Sequence, residues 1–188
     1  MAGGGNSPTA AQLVNNLAEE NLEKIFREYG EEKLSKEIAQ AIVAKRKEQP
    51  IERTNQLVDV ILETYRKKLG IRKTTASWRG PAQGGKIPWV GGLHPATKVF
   101  QALRIAVNDE LGVIEQVIPQ AAEVLAPGGR LAIITFHSLE DRIVKHRFKQ
   151  LDEKGFRLIT KKPIVCSEAE YEANPRARSA KLRIIEKM

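Results

Sequence analysis

The sequence predicts an α/β chain in which a run of helices precedes a smaller region of alternating helices and strands. Three observations carry this. Apolar residues recur at helical spacing through roughly the first 70 positions. That periodicity then stops across a stretch punctuated by Gly80, Pro81, Gly84, Gly85, Pro88, Gly91 and Gly92. Beyond it, a Pro127-Gly128-Gly129 turn leads straight into the β-rich run from Leu131 to Phe136.

In order, Thr9 is a predicted N-cap, and Leu22, Ile25, Phe26 and Tyr29 form one helical face before Gly30, a C-terminal stop. Leu34, Ile38 and Ile42 repeat at four-residue spacing in a helix that runs into Pro50. Thr54 is the expected cap of another, carrying Leu57, Ile61 and Tyr65 up to Gly70. The domain boundary falls in the Gly/Pro-rich loop, giving a helical bundle at 1–72, the loop at 73–92 and an α/β region at 93–188. Trp78 and Trp89 in the loop either anchor it to a core or stack on unpaired bases beside Arg79 and Lys86. After Pro95, helices are expected near 97–111 and 113–125. Leu131 to Phe136 then reads as a strand of the kind buried in a parallel sheet. Ser138 is the expected cap of a helix to about Gln150, Phe156 to Thr160 and Leu182 to Ile185 are two further strands, and Ser167 with Glu170 forms a capping box for a short helix.

With 41% hydrophobic residues, the chain has enough apolar material for a core. Its formal charge of +8 suits a polyanionic partner such as nucleic acid, although the cations interleave with many glutamates. The single cysteine, Cys166, excludes an internal disulfide, and no Cys/His cluster has zinc-ligand spacing, so no metal is expected. No apolar run approaches the roughly 20 residues needed to span a bilayer. The expectation is a soluble, cytoplasmic protein with no membrane partner.

Three segments are informative together: His94-Pro-Ala-Thr-Lys-Val-Phe-Gln-Ala-Leu-Arg-Ile-Ala-Val-Asn108, Phe136-His-Ser-Leu-Glu-Asp-Arg-Ile-Val-Lys145 and Asn174-Pro-Arg-Ala-Arg-Ser179. With the Pro-Gly-Gly turn and strand, they resemble the MraW/RsmH family of S-adenosyl-L-methionine-dependent methyltransferases, which modify N4 of a cytidine in 16S rRNA. The helical segments Thr9 to Asn15 and Ile25 to Gly30 resemble that family's inserted substrate-recognition domain. The resemblance implies a partial Rossmann-like methyltransferase sheet plus an α-helical RNA-recognition domain, with the small ribosomal subunit as partner.

The chain departs from the family pattern at its start, where a glycine-rich first strand-turn-helix and an acidic ribose-binding residue are expected. Gly3 to Gly5 does not replace them, since no strand precedes it. Cofactor-binding residues are therefore not assigned, and binding of S-adenosyl-L-methionine by this chain alone is expected to be weak or absent. The reading leaves a fragment, a truncated gene model and one half of a split protein open, with a missing N-terminal half as a possible partner. The alternative function is a noncatalytic RNA-binding or ribosome-assembly module.

Cytidine N4 is a poor nucleophile because its lone pair is conjugated with the ring, so orientation and hydrogen-bond acceptors matter more than a strong base. His137, Glu140 and Asp141 follow the strand at its C-terminal end, where open α/β sheets place ligands, and are the catalytic candidates. Each also has a structural reading: Ser138 and Glu140 as caps, Asp141 as one half of an ion pair with Arg142. Arg104 and Asn108, four residues apart on one helical face, and Arg176 and Arg178, flanking Ala177, are the RNA-binding candidates. Lys45 to Lys47 and Arg66 to Lys68 stand at helix C-termini, where positive charge also suits the macrodipole.

Overall fold

The computed structural model describes residues 8–70 and 94–188, and Trp78, Trp89, Arg79 and Lys86 lie outside these. The chain divides into two compact units, 1–108 and 109–188.

The first unit is helical: α1 (Ala10–Asn16), α2 (Glu19–Glu28), α3 (Ser35–Glu48), α4 (Thr54–Leu69) and α5 (Ala96–Asn108). Its core draws on every helix, with Val14, Leu22, Phe26, Ile38, Ile42, Ile61, Val99 and Leu103 buried together. These are the residues that helical spacing selects. Thr9 caps α1 in a full capping box with Gln12. The chain between α3 and α4 is held by Asn15, whose side-chain amide both donates to the Ile51 carbonyl at 2.8 Å and accepts from its N–H at 2.9 Å. Gly30 follows the end of α2 for want of room rather than for its φ, since a Cβ there would meet the carbonyls of Phe26 and Lys98 at 2.7 Å. The left-handed residue at this corner is Glu31, with φ 48°. Thr54 is not the α4 cap: that position is Arg53, and Gln56 reaches back to accept from the N–H groups of Glu52 and Arg53. An arginine side chain has no acceptor to offer the helix, so the glutamine supplies the capping contact.

The second unit comprises α6 (Glu110–Glu123), β1 (Arg130–Thr135), α7 (Ser138–Asp152), β2 (Phe156–Leu158), β3 (Ile164–Val165), α8 (Glu168–Ala173), a 3-10 turn (Pro175–Ser179) and β4 (Lys181–Lys187). β4 is central, with β1 antiparallel on one side and β2 and β3 antiparallel to it as well. The Pro-Gly-Gly turn is pinned by β4, whose Lys187 carbonyl accepts from Gly128 N–H at 2.7 Å, and Gly128 adopts φ 80°. Lys187 Nζ also caps the C-terminal end of α6 through the carbonyls of Glu123 and Leu125.

One face of the sheet is covered. Ile118 of α6 and Val144 and Phe148 of α7 pack with Ile185, Leu131, Ile133, Phe156 and Leu158. The apolar run of β1 predicts a parallel sheet buried on both faces, and the structure differs. Among the described residues β1 has one neighbour, antiparallel β4, and its residues alternate between exposed and partly covered until the buried Thr135. The run is right for two buried faces, but among the described residues helices cover only one.

Candidate functional site

The corner between β1 and α7 is where the catalytic candidates fall. The helix begins one residue earlier than a Ser138 cap implies. His137 is the N-cap, its Nδ1 accepting from Glu140 N–H at 3.3 Å, while Glu140 Oε2 accepts from the N–H groups of Phe136 at 2.8 Å and His137 at 3.2 Å. A histidine thus takes the place usually held by Ser or Thr in a capping box. Sequence reasoning misses it because Ser138 next to it has the stronger cap preference.

Asp141, one residue further, turns to the sheet. Its carboxylate accepts from Arg183 Nε at 2.7 Å and Nη2 at 3.1 Å, with Lys181 Nζ at 3.6 Å. The hydrogen bond from Arg183 holds the Asp141 carboxyl below its usual range, against the opposing effect of burial. The arginine that fixes Asp141 is therefore on β4, 42 residues away in sequence, and adjacency to Arg142 does not reveal it.

Glu110, which sequence reasoning does not select, joins His137 and Glu140: the three offer polar atoms within 4.8 Å of one another. Its position depends on a strained start to α6. Asp109 adopts left-handed φ 47° and ψ 42°, and its carboxylate occupies the space a Cβ would take at Gly112. The signal in the sequence is the Asp-Glu pair two residues before that glycine. His137 Nδ1 is taken by Glu140 N–H, and its Nε2, buried without a hydrogen-bond partner among the described residues, faces Glu140 Oε1 at 3.1 Å.

The RNA candidates lie elsewhere. Arg104 and Asn108 are both exposed on α5, opposite the face carrying Val99, Leu103 and Val107. Arg176 and Arg178 are exposed on the 3-10 turn, either side of buried Ala177, with Asn174 Oδ1 capping the turn at Arg176 N–H. Several cations at helix ends are engaged within the fold. Arg46 donates to the carbonyls of Val14 at 2.8 Å and Leu17 at 2.6 Å, closing the end of α1. Lys45 pairs with Glu48, Arg66 with Glu63 and Lys68 with Glu37.

The described residues do not fit S-adenosylmethionine. A cofactor turn in an α/β sheet needs glycine between strand and helix, where the backbone approaches the ligand. Among the described residues no glycine stands at such a turn: Gly128, Gly129 and Gly155 all lead from helix to strand. At the β1–α7 corner the backbone N–H groups of Phe136, His137 and Glu140 are already bound by side chains of that corner.

A mixed α/β chain with an antiparallel C-terminal sheet and a helical unit defines a broad class, and comparison with known proteins narrows it. The chain belongs to the MraW methylase family, whose description matches residues 4–188. It is 45% identical over 196 residues to the ribosomal RNA small subunit methyltransferase H of Heliobacterium modesticaldum, covering 96% of this chain and 56% of the relative. It is 48% identical to the proteins of the same name from Synechocystis sp., covering 96% of this chain and 51% of the relative, and Picosynechococcus sp., covering 95% and 53%. The chain thus spans about half the length of the curated relatives it matches.

Proposed function

We propose that this chain supplies the RNA-recognition part and the C-terminal sheet of an S-adenosylmethionine-dependent methyltransferase acting on N4 of a cytidine in 16S rRNA. The observation that carries this is the identity of 45–48% across 95–96% of the chain to relatives named for small-subunit rRNA methylation. In this reading, residues 1–72 contact RNA, 73–92 connect, and 93–188 complete the catalytic sheet. His137, Glu140 and Asp141 hold the corner beside which the base is positioned, with the capping box and the Arg183 pair fixing their geometry. Arg104, Asn108, Arg176 and Arg178 face the RNA, the guanidinium groups meeting phosphates. The described residues offer no glycine turn for the cofactor, so in this reading they do not carry its binding.

Two binding measurements test the division of labour. Calorimetry is expected to show weak or no binding of S-adenosylmethionine, while small-subunit rRNA binds with an affinity that falls as salt rises. Stoichiometric cofactor binding as tight as that of a full-length relative would overturn the first half of the proposal. A salt-independent affinity would overturn the second.

A further inference from the structure

Helix α7 gathers cations on one face. Arg142, Lys145, His146 and Lys149 are all exposed. Spaced three, four and seven residues from Arg142, they share the side of the helix opposite Val144 and Phe148, which are buried against the sheet. This side points away from the sheet, so extending the sheet beyond β1 leaves it open to solvent. A solvated helix face ordinarily alternates cations with glutamates three or four residues away. Here Lys145 has Arg142 three residues before it and Lys149 four residues after it, a spacing of like charges that weakens a helix. The acids within reach are engaged inside the fold: Asp141 with Arg183, Asp152 with Leu158 N–H at 2.9 Å, and Glu115 of α6 with Arg147 at 3.6 Å. Glu153, the C-cap, is the one acid at the far end of the ridge. The side chains of Lys145, His146 and Lys149 have no ion pair or hydrogen bond among the described residues. The macrodipole accounts only for Lys149, which stands in the last turn.

We propose that this ridge binds phosphates of the RNA strand whose base is positioned at the corner between β1 and α7. The inference rests on the proposed function and adds to it an RNA surface outside the helical unit. α7 starts at His137, so its exposed face leads directly away from the His137, Glu140 and Asp141 corner. From Arg142 to Lys149 the ridge is about 10 Å long, room for successive phosphates of one strand. The ammonium groups of Lys145 and Lys149 displace counterions from that strand without first breaking a contact within the fold.

Filter binding of 16S rRNA to the full chain across a potassium chloride series tests this. Lys145→Glu combined with Lys149→Glu is expected to weaken binding about tenfold or more at low salt. The neutral pair, Lys145→Gln with Lys149→Gln, is expected to lower the magnitude of the salt slope by about 0.7 for each phosphate no longer neutralised. Circular dichroism should show unchanged helix content in both. Lys161→Glu with Lys162→Glu makes the same change in net charge on the exposed segment between β2 and β3, and is expected to have a much smaller effect. Salt-dependent binding by the wild type with unchanged affinity and slope in both ridge variants overturns the ridge and leaves the proposed function standing. Equal losses in the ridge and control charge reversals also overturn it, since net charge alone then accounts for binding. A wild-type chain that does not bind rRNA overturns the proposed function and the ridge together.

Discussion

Arg183 of β4 and Asp141 of α7 form a two-pronged ion pair, Nε to Oδ1 at 2.7 Å and Nη2 to Oδ2 at 3.1 Å, that ties the first turn of the helix to the middle of the sheet. Both side chains are nearly buried, 8% and 13% exposed. Removing one partner therefore strands the other away from water. Asp141→Ala is predicted to cost about 2–3 kcal/mol of unfolding free energy in urea titrations. The sign with pH is fixed by the depressed Asp141 carboxyl: its contribution is complete above the ordinary carboxylate value and is lost as pH falls through the lower folded value. Asp141→Asn should flatten the acid limb of the stability curve. An unchanged acid limb would show that the pair does not contribute.

The His137 and Glu140 capping box makes a separate prediction. His137→Ala should destabilise by about 1 kcal/mol, and His137→Asn, which restores a short acceptor, should recover most of it. Glu140→Ala, which leaves the Phe136 and His137 N–H groups without their acceptor, should cost about 1–2 kcal/mol, with Glu140→Gln milder. Equal stability of His137→Ala and wild type would remove the capping role and leave a role in positioning substrate as the reason for the residue.

In the helical unit, Tyr65 O–H donates to the buried Glu32 carboxylate at 2.6 Å, and Glu32 Oε2 has no partner among the described residues. Tyr65→Phe removes one of two hydrogen bonds to Oε1, the other coming from Leu34 N–H, and is predicted to cost about 1–3 kcal/mol. Burial, reinforced by Glu32, pushes the Tyr65 phenol above its usual value of 10.0. The associated stability is thus full below about pH 10 and is lost as pH rises toward the higher folded value. Alkaline unfolding of wild type should be steeper than that of Tyr65→Phe. Parallel curves would contradict the assignment.

Periodic apolar spacing makes the helical unit legible, because Leu22, Phe26, Ile38, Ile42, Leu57 and Ile61 each have only one face to bury. The run at Leu131 to Phe136 announces a strand but not its neighbours, since a strand apolar on both faces looks the same whether or not both are covered. The candidate site is legible in position and not in pairing. His137, Glu140 and Asp141 follow from the strand-to-helix corner, whereas Arg183 and Glu110 enter through tertiary contact that sequence spacing does not report. His137 as a cap is hidden by the serine beside it.

For RNA, replacing Arg176 and Arg178 by Glu should weaken binding and lower the magnitude of the salt slope by about 0.7 for each phosphate of single-stranded RNA that is no longer neutralised. Filter binding across a potassium chloride series reads both quantities. The guanidinium groups are exposed on a turn anchored by Ala177, so the fold should survive the change. An unaltered slope in the double variant would place the phosphate-binding groups elsewhere on the chain.

The proposed function gives this chain the RNA-recognition and late-sheet half of an N4-cytidine methyltransferase. It is tested most directly by combining the chain with the portion of a relative's length that it does not match, supplying S-adenosylmethionine and small ribosomal subunits, and measuring N4-methylcytidine in the rRNA by mass spectrometry. Methylated cytidine is expected with the combination and none with either part alone. A complex that holds both cofactor and RNA yet yields no methylated cytidine would contradict it and leave RNA binding without catalysis as the function of the chain.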